Sequence, residues 1–284
     1  MNSVMIREPK INEILESIKT FLLSFGRVDF DYILAEEKVW IYLINNKIAK
    51  FLIAEKEDKI IGVGGLFLFQ QVGSVGYMGV LTEYRGQGIG TAIFRNLMDI
   101  AISSGIKTVM LYASKLGEPI YVKFGFRGKY NASMHHLLKA KPKMQDITKD
   151  VKVVKSTPDW VLNLDKETMG FDRSDYLKAR ITLGAKFLII ENEGYALLSK
   201  VLSKIRLGPL IAKNLDTALQ IIKKGINLGA DNLIIPYHPA LQDNMSCITH
   251  LTESKEAPNL KMVYGEEIQG KLGYLYSIGT YAKG

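Results

Sequence analysis

Apolar residues in the first half of the chain recur at two different spacings, and each spacing predicts one kind of element. Recurrence every three or four residues indicates a helix that buries one face, whereas short alternating or continuous apolar runs indicate strands. In chain order the pattern predicts a strand at 4–7, helices at 11–25 and 31–45, strands at 51–56, 60–69 and 75–82, a helix that opens near Thr91, and strands at 108–112 and 129–139. The first half is therefore predicted to be a sheet with helices packed against it.

The turn before the helix that opens near Thr91 contains three alternate glycines. It reads Arg85-Gly86-Gln87-Gly88-Ile89-Gly90, and the helix is predicted to bury Ile93, Phe94, Leu97, Met98 and Ala101. Because glycine has no Cβ and adopts backbone angles that other residues resist, several peptide N–H groups can point inward together. The first N–H groups of a helix lack partners, and that end carries a partial positive charge. The sequence therefore predicts a site for an anion such as pyrophosphate, with the charge of Arg85 at its rim.

Other kinds of nucleotide-binding turn require residues that this turn lacks. A P-loop ends in Gly-Lys-Ser/Thr, and Gly90-Thr91 lacks the lysine, which excludes the usual NTPase. A dinucleotide-binding turn requires a third glycine where Thr91 stands and an acidic residue after the next strand, which ends instead at Tyr112-Ala113. The residues of this loop alone do not exclude a tight turn between strand and helix that binds no ligand.

Two segments resemble signatures of the GNAT superfamily of N-acetyltransferases. The segment Val80-Leu81-Thr82-Glu83-Tyr84-Arg85-Gly86-Gln87-Gly88-Ile89-Gly90-Thr91 is similar to its acetyl-CoA signature, Arg/Gln-x-x-Gly-x-Gly/Ala, with the residues that precede it. The segment Ile120-Tyr121-Val122-Lys123-Phe124-Gly125-Phe126 is similar to the Leu-Tyr-Glu-Lys-Leu-Gly-Phe segment, where a short helix meets the next strand. The two segments stand in the same order and at the same separation as in the superfamily.

The resemblance implies an α/β (α+β) fold with a mixed, mostly antiparallel sheet and helices on both faces. It also implies an N-acetyltransferase in which a primary amine of a small molecule, a protein terminus or a lysine attacks the thioester of acetyl-CoA directly. The cofactor strand is expected to leave its neighbour, so that its backbone binds the pantetheine arm and an N–H near Val80 steadies the thioester oxygen. The implied cofactor-binding residues are Gly79, Val80, Leu81, Thr82, Arg85, Gly86, Gln87, Gly88, Ile89, Gly90 and Thr91.

The sequence offers one candidate for the general acid of the reaction, whereas several alternatives remain for the general base. Tyr121 matches the general acid of the superfamily, which protonates the leaving thiolate, although the same side chain would also pack its helix onto the sheet. A carboxylate base is missing from the cofactor strand at 77–79, and Glu83 lies too close to the phosphate end. The open alternatives for the base are Asp31, Glu36 and Glu37 in the early helical region, or a relay through water.

The second half of the chain repeats features of the first half. Residues 187–193 parallel residues 51–57, and Gly208-Pro209-Leu210 takes the place of Gly79-Val80-Leu81. The stretch from Gly208 to Thr217 is shorter than the stretch from Gly79 to Thr91 and has no glycine after Gly208. The segments 170–174 and 207–210 also resemble the C-terminal domain of tandem GNAT proteins.

A polar stretch at 142–150 without periodicity marks the predicted boundary between the two copies. Residues 1–141 are expected to form the acetyl-CoA-binding catalytic domain, and residues 151–284 a GNAT-like domain without the phosphate-binding loop. The second domain is expected either to wall the acceptor cleft or to form a subunit interface, as in a homodimer.

Composition narrows the partners of the chain. The net charge is +8 and the isoelectric point is near 9.2, but the basic residues are interspersed with acidic residues along the chain. Nucleic-acid binding is therefore the weakest interpretation of the function, behind a non-catalytic acyl-CoA sensor. No apolar run reaches membrane-spanning length and the start shows no signal-peptide core, which favours a cytoplasmic protein. His238 and His250 have no partners at ligand spacing, so no metal is expected. The single cysteine, Cys247, is interpreted as a small buried apolar residue.

Overall fold

The computed structural model describes residues 4–138, 148–201 and 204–282. Contacts between residues divide this part of the chain into two compact units. The first unit comprises residues 4–111 and Tyr264–Glu266, and the second comprises residues 112–263 and 267–282 apart from the two internal gaps. The glycine turn lies in the first unit, whereas Tyr121 lies in the second.

The first unit is a sheet with helices on both faces. Its elements are β1 (Met5–Arg7), α1 (Ile14–Leu23), α2 (Phe30–Asn45), β2 (Ala49–Lys56), β3 (Lys59–Phe69), β4 (Val72–Val80), α3 (Ile89–Ser103) and β5 (Thr108–Ala113), the last as far as Leu111. The strands lie in the order β1-β2-β3-β4-β5, and each neighbouring pair is antiparallel except β4 and β5, which are parallel. This confirms the mixed, mostly antiparallel sheet.

Glycines in the central strands allow the helices to approach both faces of this sheet closely. A Cβ added at Gly64 would come within 2.7 Å of Ile93 on α3. A Cβ added at Gly79 would collide with Ser24, which follows α1. Because Gly79 pairs with Val63, the neighbour of Gly64, the two glycines face opposite sides of the sheet. Helices α1 and α3 therefore cover opposite faces.

The strand before the glycine turn ends about two residues earlier than predicted, and the helix after it begins about two residues earlier than predicted. The strand was predicted to run to Thr82, but β4 ends at Val80, and Thr82 belongs instead to a 3-10 turn at Thr82–Tyr84. Helix α3 begins at Ile89, ahead of Thr91, because Gly88 caps it in a left-handed conformation with φ of 78°. The five residues predicted to be buried on α3 are buried, together with Ile89.

The second unit is a larger mixed sheet with its own helices. Its elements are α4 (Glu118–Lys123), β6 (Arg127–Leu137), β7 (Lys152–Val154), α5 (Asp159–Met169), α6 (Ser174–Thr182), β8 (Lys186–Ile190), β9 (Gly194–Val201), β10 (Lys204–Ala212), α7 (Leu215–Asn227), β11 (Asn232–Pro236), α8 (Met245–Thr249), β12 (Thr252–Lys255), β13 (Asn259–Gly265, as far as Val263) and β14 (Leu275–Ser277). The strands lie in the order β13-β6-β11-β10-β9-β8-β7, with β12 paired to β6 and β14 paired to β10. Only β10 and β11 are parallel among these pairs.

Strand β6 comes from the first sequence repeat but pairs with strands of the second. It pairs with β11 through residues 132–136, with β12 through residues 135–137 and with β13 through residues 127–132. This pairing explains why the boundary between the compact units, after Leu111, does not coincide with the boundary predicted between the two repeats. The predicted boundary at 142–150 lies mostly outside the described residues, so the domains 1–141 and 151–284 stay a prediction.

Cys247 corrects one interpretation of the sequence. The thiol is exposed on the short helix α8, and the next residue, Ile248, takes the fully buried position. On a helix two successive residues face different directions, so only one of them can reach the core. The buried-cysteine interpretation was wrong.

Candidate functional site

A β-bulge interrupts strand β4 three residues before its end. Gly76 pairs with Gly65 and Gly79 pairs with Val63, so three steps along β4 face two steps along β3. The bulged residue Tyr77 has φ of 55°, a left-handed conformation that is rare for a bulky side chain. A bulge bends its strand and increases the local twist.

The bulge lies where β4 and β5 separate. Their parallel ladder joins Val72–Val75 to Thr108–Leu111, and β4 then continues to Val80 in contact with β3 alone among the described strands of this unit. Leu81 donates its N–H to Ile61 on β3 at 2.9 Å. Because backbone groups alternate between the two edges of a strand, the N–H of Val80 faces the open edge. The expected divergence of the cofactor strand from its neighbour is present.

The glycine turn continues from this open edge into helix α3. Gly86 and Gly88 have φ of 75° and 78°, and a Cβ added at either residue would meet no protein atom within 4 Å. Gly88 caps α3 without a side-chain hydrogen bond, so the cap supplies no acceptor to the first turn. The turn therefore combines left-handed glycines, open space and a helix N-terminus, which is the arrangement that suits a phosphate group.

Arg85 is fixed to the backbone on both sides of the turn. Its Nε donates to the carbonyl of Val80 at 3.1 Å, and a terminal nitrogen donates to the carbonyl of Ser24 in a very short contact. The side chain remains exposed at the turn. These hydrogen bonds fix the guanidinium group of Arg85 at the rim of the glycine turn, where its charge was predicted. They also connect the turn to the end of α1.

The second sequence copy contains an equivalent bulge but no open edge. In β10 the steps from Leu207 to Leu210 face those from Leu198 to Ala196 on β9, so this strand also carries an extra residue. Strand β14 pairs with β10 directly after its bulge, through Leu210 with Ser277 and Ile211 with Leu275. The place that is open beside β4 is therefore filled beside β10 by the chain itself.

The connection after β10 is also too short for a phosphate turn. Only residues 213–214 separate β10 from α7, whereas residues 81–88 separate β4 from α3. The side chain of Asn214 accepts a hydrogen bond from the N–H of Thr217 at 2.9 Å, so the cap of α7 uses an N–H that a phosphate would need. Both observations support the prediction that the second copy has lost the cofactor site.

Glu36 reaches β4 from helix α2. Its carboxylate accepts a hydrogen bond from the hydroxyl of Tyr77 at 2.8 Å, and both side chains are buried. The ring of Tyr77 contacts Phe21 on α1 and Trp40 on α2, with ring centroids 5.1 Å and 4.9 Å away. Glu36 thus differs from Asp31, which is exposed.

A signal in the sequence could have selected Glu36 from the three acidic candidates. Buried residues of α2 recur at three- and four-residue spacings, and they are Ile33, Glu36, Val39, Trp40 and Leu43. A carboxylate in such an apolar row needs a hydrogen-bond partner. The sequence could not identify Tyr77 as the hydrogen-bond partner of Glu36. The two residues are far apart in the chain, and the orientation of the Tyr77 side chain depends on the bulge.

Tyr121 is a buried residue of α4 in the second unit. It is 7% exposed, and burial raises the pKa of its phenol to about 12. Its ring lies 6.2 Å from the ring of Phe126. The hydroxyl is therefore protonated at neutral pH, while its catalytic role stays a prediction from the motif.

The described residues are 4–138, 148–201 and 204–282. Within these ranges no helix is both long enough and apolar enough to cross a membrane. The same ranges contain no group of three or more His, Cys, Asp or Glu side chains that could hold a metal ion. A cytoplasmic location stays a prediction.

Comparison with known proteins assigns both halves of the chain to one family. The acetyltransferase (GNAT) family model matches residues 13–126, and an acetyltransferase (GNAT) domain model matches residues 161–277. The uncharacterized N-acetyltransferase YitH of Bacillus subtilis is 26% identical over 236 residues, which cover 79% of this chain and 81% of that protein.

Solved structures extend the match to the whole fold. A candidate acetyltransferase from Pyrococcus horikoshii superposes with a TM-score of 0.90 at 29% identity, covering 100% of this chain and 97% of that one. A tandem GNAT protein from the clavulanic acid biosynthesis pathway shares the fold with a TM-score of 0.62 at 12% identity, covering 93% of this chain and 98% of that one. The chain therefore belongs to the GNAT family of acetyltransferases and consists of two GNAT domains in tandem.

Proposed function

We propose that this chain transfers the acetyl group of acetyl-CoA to a primary amine by direct attack. One observation carries the proposal: the open edge of β4 after its bulge leads directly into a glycine turn whose Gly86 and Gly88 leave space where other residues would place a Cβ. An extended edge suits a pantetheine arm, and the turn suits a diphosphate. When bound, acetyl-CoA supplies the activated thioester.

The backbone between Gly79 and Thr91 is assigned to hold this cosubstrate. The N–H of Val80 faces the open edge and is placed to donate to the thioester oxygen as that oxygen gains negative charge. The N–H of Leu81 already donates to Ile61 and its carbonyl already accepts from the N–H of Tyr84, so Leu81 contributes through its buried side chain. Residues 86–91 hold the diphosphate, and Arg85 fixes the turn in position.

We assign proton acceptance to Glu36, acting together with Tyr77. A primary amine is mostly protonated at neutral pH, because its pKa lies near 10, as for lysine. It must lose a proton before it attacks. The phenol of this pair lies on the bulge residue Tyr77, two residues before Gly79 in the strand, and the carboxylate reaches it from α2. Glu36 supplies the carboxylate that the strand itself lacks at 77–79.

Tyr121 is assigned to the leaving sulfur on the strength of its motif. With a pKa of about 12, the phenol is a weaker acid than a thiol of pKa about 8.5. It therefore stabilises the sulfur mainly by donating a hydrogen bond, and solvent completes the net proton transfer. This assignment requires an intact hydroxyl and does not require a phenolate.

Calorimetry and a CoA-release assay together test the proposal. Acetyl-CoA is titrated into the full chain, and release of free thiol is then followed with small amines, peptides with a free N-terminus and lysine peptides. Binding with turnover of one amine class supports the proposal. Binding without turnover of any class would favour the acyl-CoA sensor, and absence of binding at millimolar acetyl-CoA would overturn both.

A further inference from the structure

A pocket lies entirely within the second compact unit. Its volume is about 540 Å³, which is in the range of sites for small organic molecules. Polar side chains at one part of its wall are Tyr130, His238 and Lys261. Apolar side chains at the wall are Met169, Val263, Ile268 and Leu272.

Lys261 carries a buried positive charge without a carboxylate partner among the described residues. The residue is 6% exposed, and its Nζ lies 5.4 Å and 5.8 Å from the ring centres of Tyr130 and Tyr112. Contact with aromatic faces compensates only part of the cost of burying an ammonium group. A negative charge inside the pocket would compensate the rest.

The two other lysines of the pocket wall already have counterions. Lys129 forms a very short ion pair with Glu267, and Lys271 pairs with Glu167 at 2.5 Å. These pairs are largely exposed at the rim. Lys261, the most deeply buried of the three lysines, is therefore the one without a counterion among the described residues.

A hydroxyl donor lies beside this ammonium group. Tyr130 is 8% exposed, and its hydroxyl is itself buried next to the hydroxyl of Tyr112. Within residues 4–138, 148–201 and 204–282 this hydroxyl makes no hydrogen bond of normal geometry. His238 lines the same wall, and its pKa is lowered by burial and by the charge of Lys261. A neutral His238 adds no competing charge, so within the described residues the wall presents one unpaired ammonium group, with the buried hydroxyl of Tyr130 as a second donor near it.

We propose that this pocket binds a small organic monocarboxylate. One carboxylate oxygen pairs with the ammonium of Lys261, and the other accepts a hydrogen bond from the hydroxyl of Tyr130 once the ring shifts to expose that buried hydroxyl to the ligand. The body of the ligand packs on the apolar wall formed by Met169, Val263, Ile268 and Leu272. A carboxylate fits better than a phosphate, since a dianion with three free oxygens needs more donors than these two. The proposal does not depend on the acetyltransferase reaction.

Titration calorimetry with phenylacetate and its neutral isostere phenylacetamide tests this site in the full chain. Phenylacetate is expected to bind at least about tenfold more tightly than phenylacetamide, because only the acid pairs with Lys261. Equal affinity for the two probes, or no binding of phenylacetate at tens of millimolar, would overturn the proposal. So would binding of inorganic phosphate that excludes phenylacetate.

Variants of the pocket separate ligand binding from a structural role. Lys261→Met is expected to weaken phenylacetate binding at least about tenfold and to raise the melting temperature without ligand, because it removes an uncompensated buried charge. Tyr130→Phe is expected to weaken binding while leaving the melting temperature within about 2 °C. Lys178→Met is the control and should change neither property, because Lys178 is exposed on α6 and does not line the pocket. A lower melting temperature of Lys261→Met, or unchanged binding in it, would mean that Lys261 is structural.

Discussion

The hydroxyl of Tyr77 on the cofactor strand donates to the carboxylate of Glu36 on helix α2 at 2.8 Å. Tyr77 is the residue of the β4 bulge with a left-handed backbone, and both side chains are buried. The bond thus ties the helix to the strand at the point where β4 leaves β5. It also brings a carboxylate to a strand segment that has none of its own.

Glu36→Gln tests whether this carboxylate accepts a proton. The amide still accepts the bond from Tyr77, so the melting temperature should change little. Turnover should fall about 100-fold, since general-base catalysis typically contributes at least that much. Steady-state rates with the best amine and thermal denaturation measure the two effects.

Glu37→Gln is the matched control, because Glu37 is the next residue of the same helix and is only partly buried. It should retain nearly full turnover. If Glu36→Gln were as active as this control, Glu36 would be confined to holding α2 against β4. Tyr77→Phe would then still lower stability by roughly 1–3 kcal/mol, because it leaves a buried acceptor with one donor fewer.

Gly88→Ala should weaken acetyl-CoA binding by more than tenfold. Its φ of 78° is unfavourable for alanine by about 1–2 kcal/mol, and the new Cβ would project into the space beside the helix N-terminus. Gly105→Ala is the control, since Gly105 follows the other end of α3 with φ of 75° and equally open surroundings. Both variants should lose similar stability, and only Gly88→Ala should lose affinity in calorimetry. Equal affinities would remove the glycine turn from the binding site.

Tyr121→Phe should lower kcat about 100-fold with an unchanged dissociation constant for acetyl-CoA, because the lost hydroxyl acts only when the sulfur leaves. Since burial raises the pKa of the phenol to about 12, the wild-type enzyme should show no alkaline loss of rate from this group up to about pH 11. Tyr276→Phe, at another buried tyrosine of the second unit, serves as the control. Rates that matched this control would leave Tyr121 with a packing role alone.

His135 should make folding sensitive to mild acid. Burial lowers its folded pKa to about 4, helped by the charges of Lys255 and His136, whereas unfolded histidine titrates near 6.5. Between pH 6.5 and 4 the unfolded state therefore binds more protons, and the free energy of unfolding falls as the pH falls. The loss is on the order of 2–3 kcal/mol.

His135→Gln should flatten this part of the stability curve, measured by urea denaturation at several pH values. His250→Gln is the control, because His250 is exposed and is not among the charges that lower the pKa of His135. Parallel pH slopes for wild type and His135→Gln would show that His135 takes up its proton without cost.

Features of the chain that depend on neighbouring residues could be predicted from the sequence. Periodicity located β4 and α3, and the glycines marked the turn that joins them. The family comparisons confirmed the tandem GNAT assignment. Errors at element ends were small and have local causes, such as the left-handed cap at Gly88.

Features that depend on distant residues could not be predicted. Nothing in the sequence around Tyr77 indicates a positive φ, since tyrosine disfavours it and only the surrounding fold imposes it. The pairing of β6 with β11 and the filling of the second edge by β14 join residues far apart in the chain. Lys261 has an ordinary sequence context, and its buried charge becomes visible only beside Tyr112 and Tyr130.

Backbone amide NMR of the full chain during titration with acetyl-CoA tests the central claim most directly. The largest shifts should fall on the N–H groups of Val80 and of residues 86–91, because these groups are assigned to the thioester oxygen and the diphosphate. Their counterparts at 208–217 in the second copy should stay unchanged. Shifts confined to the second copy, or none at millimolar acetyl-CoA, would contradict the claim that the first unit holds the cosubstrate.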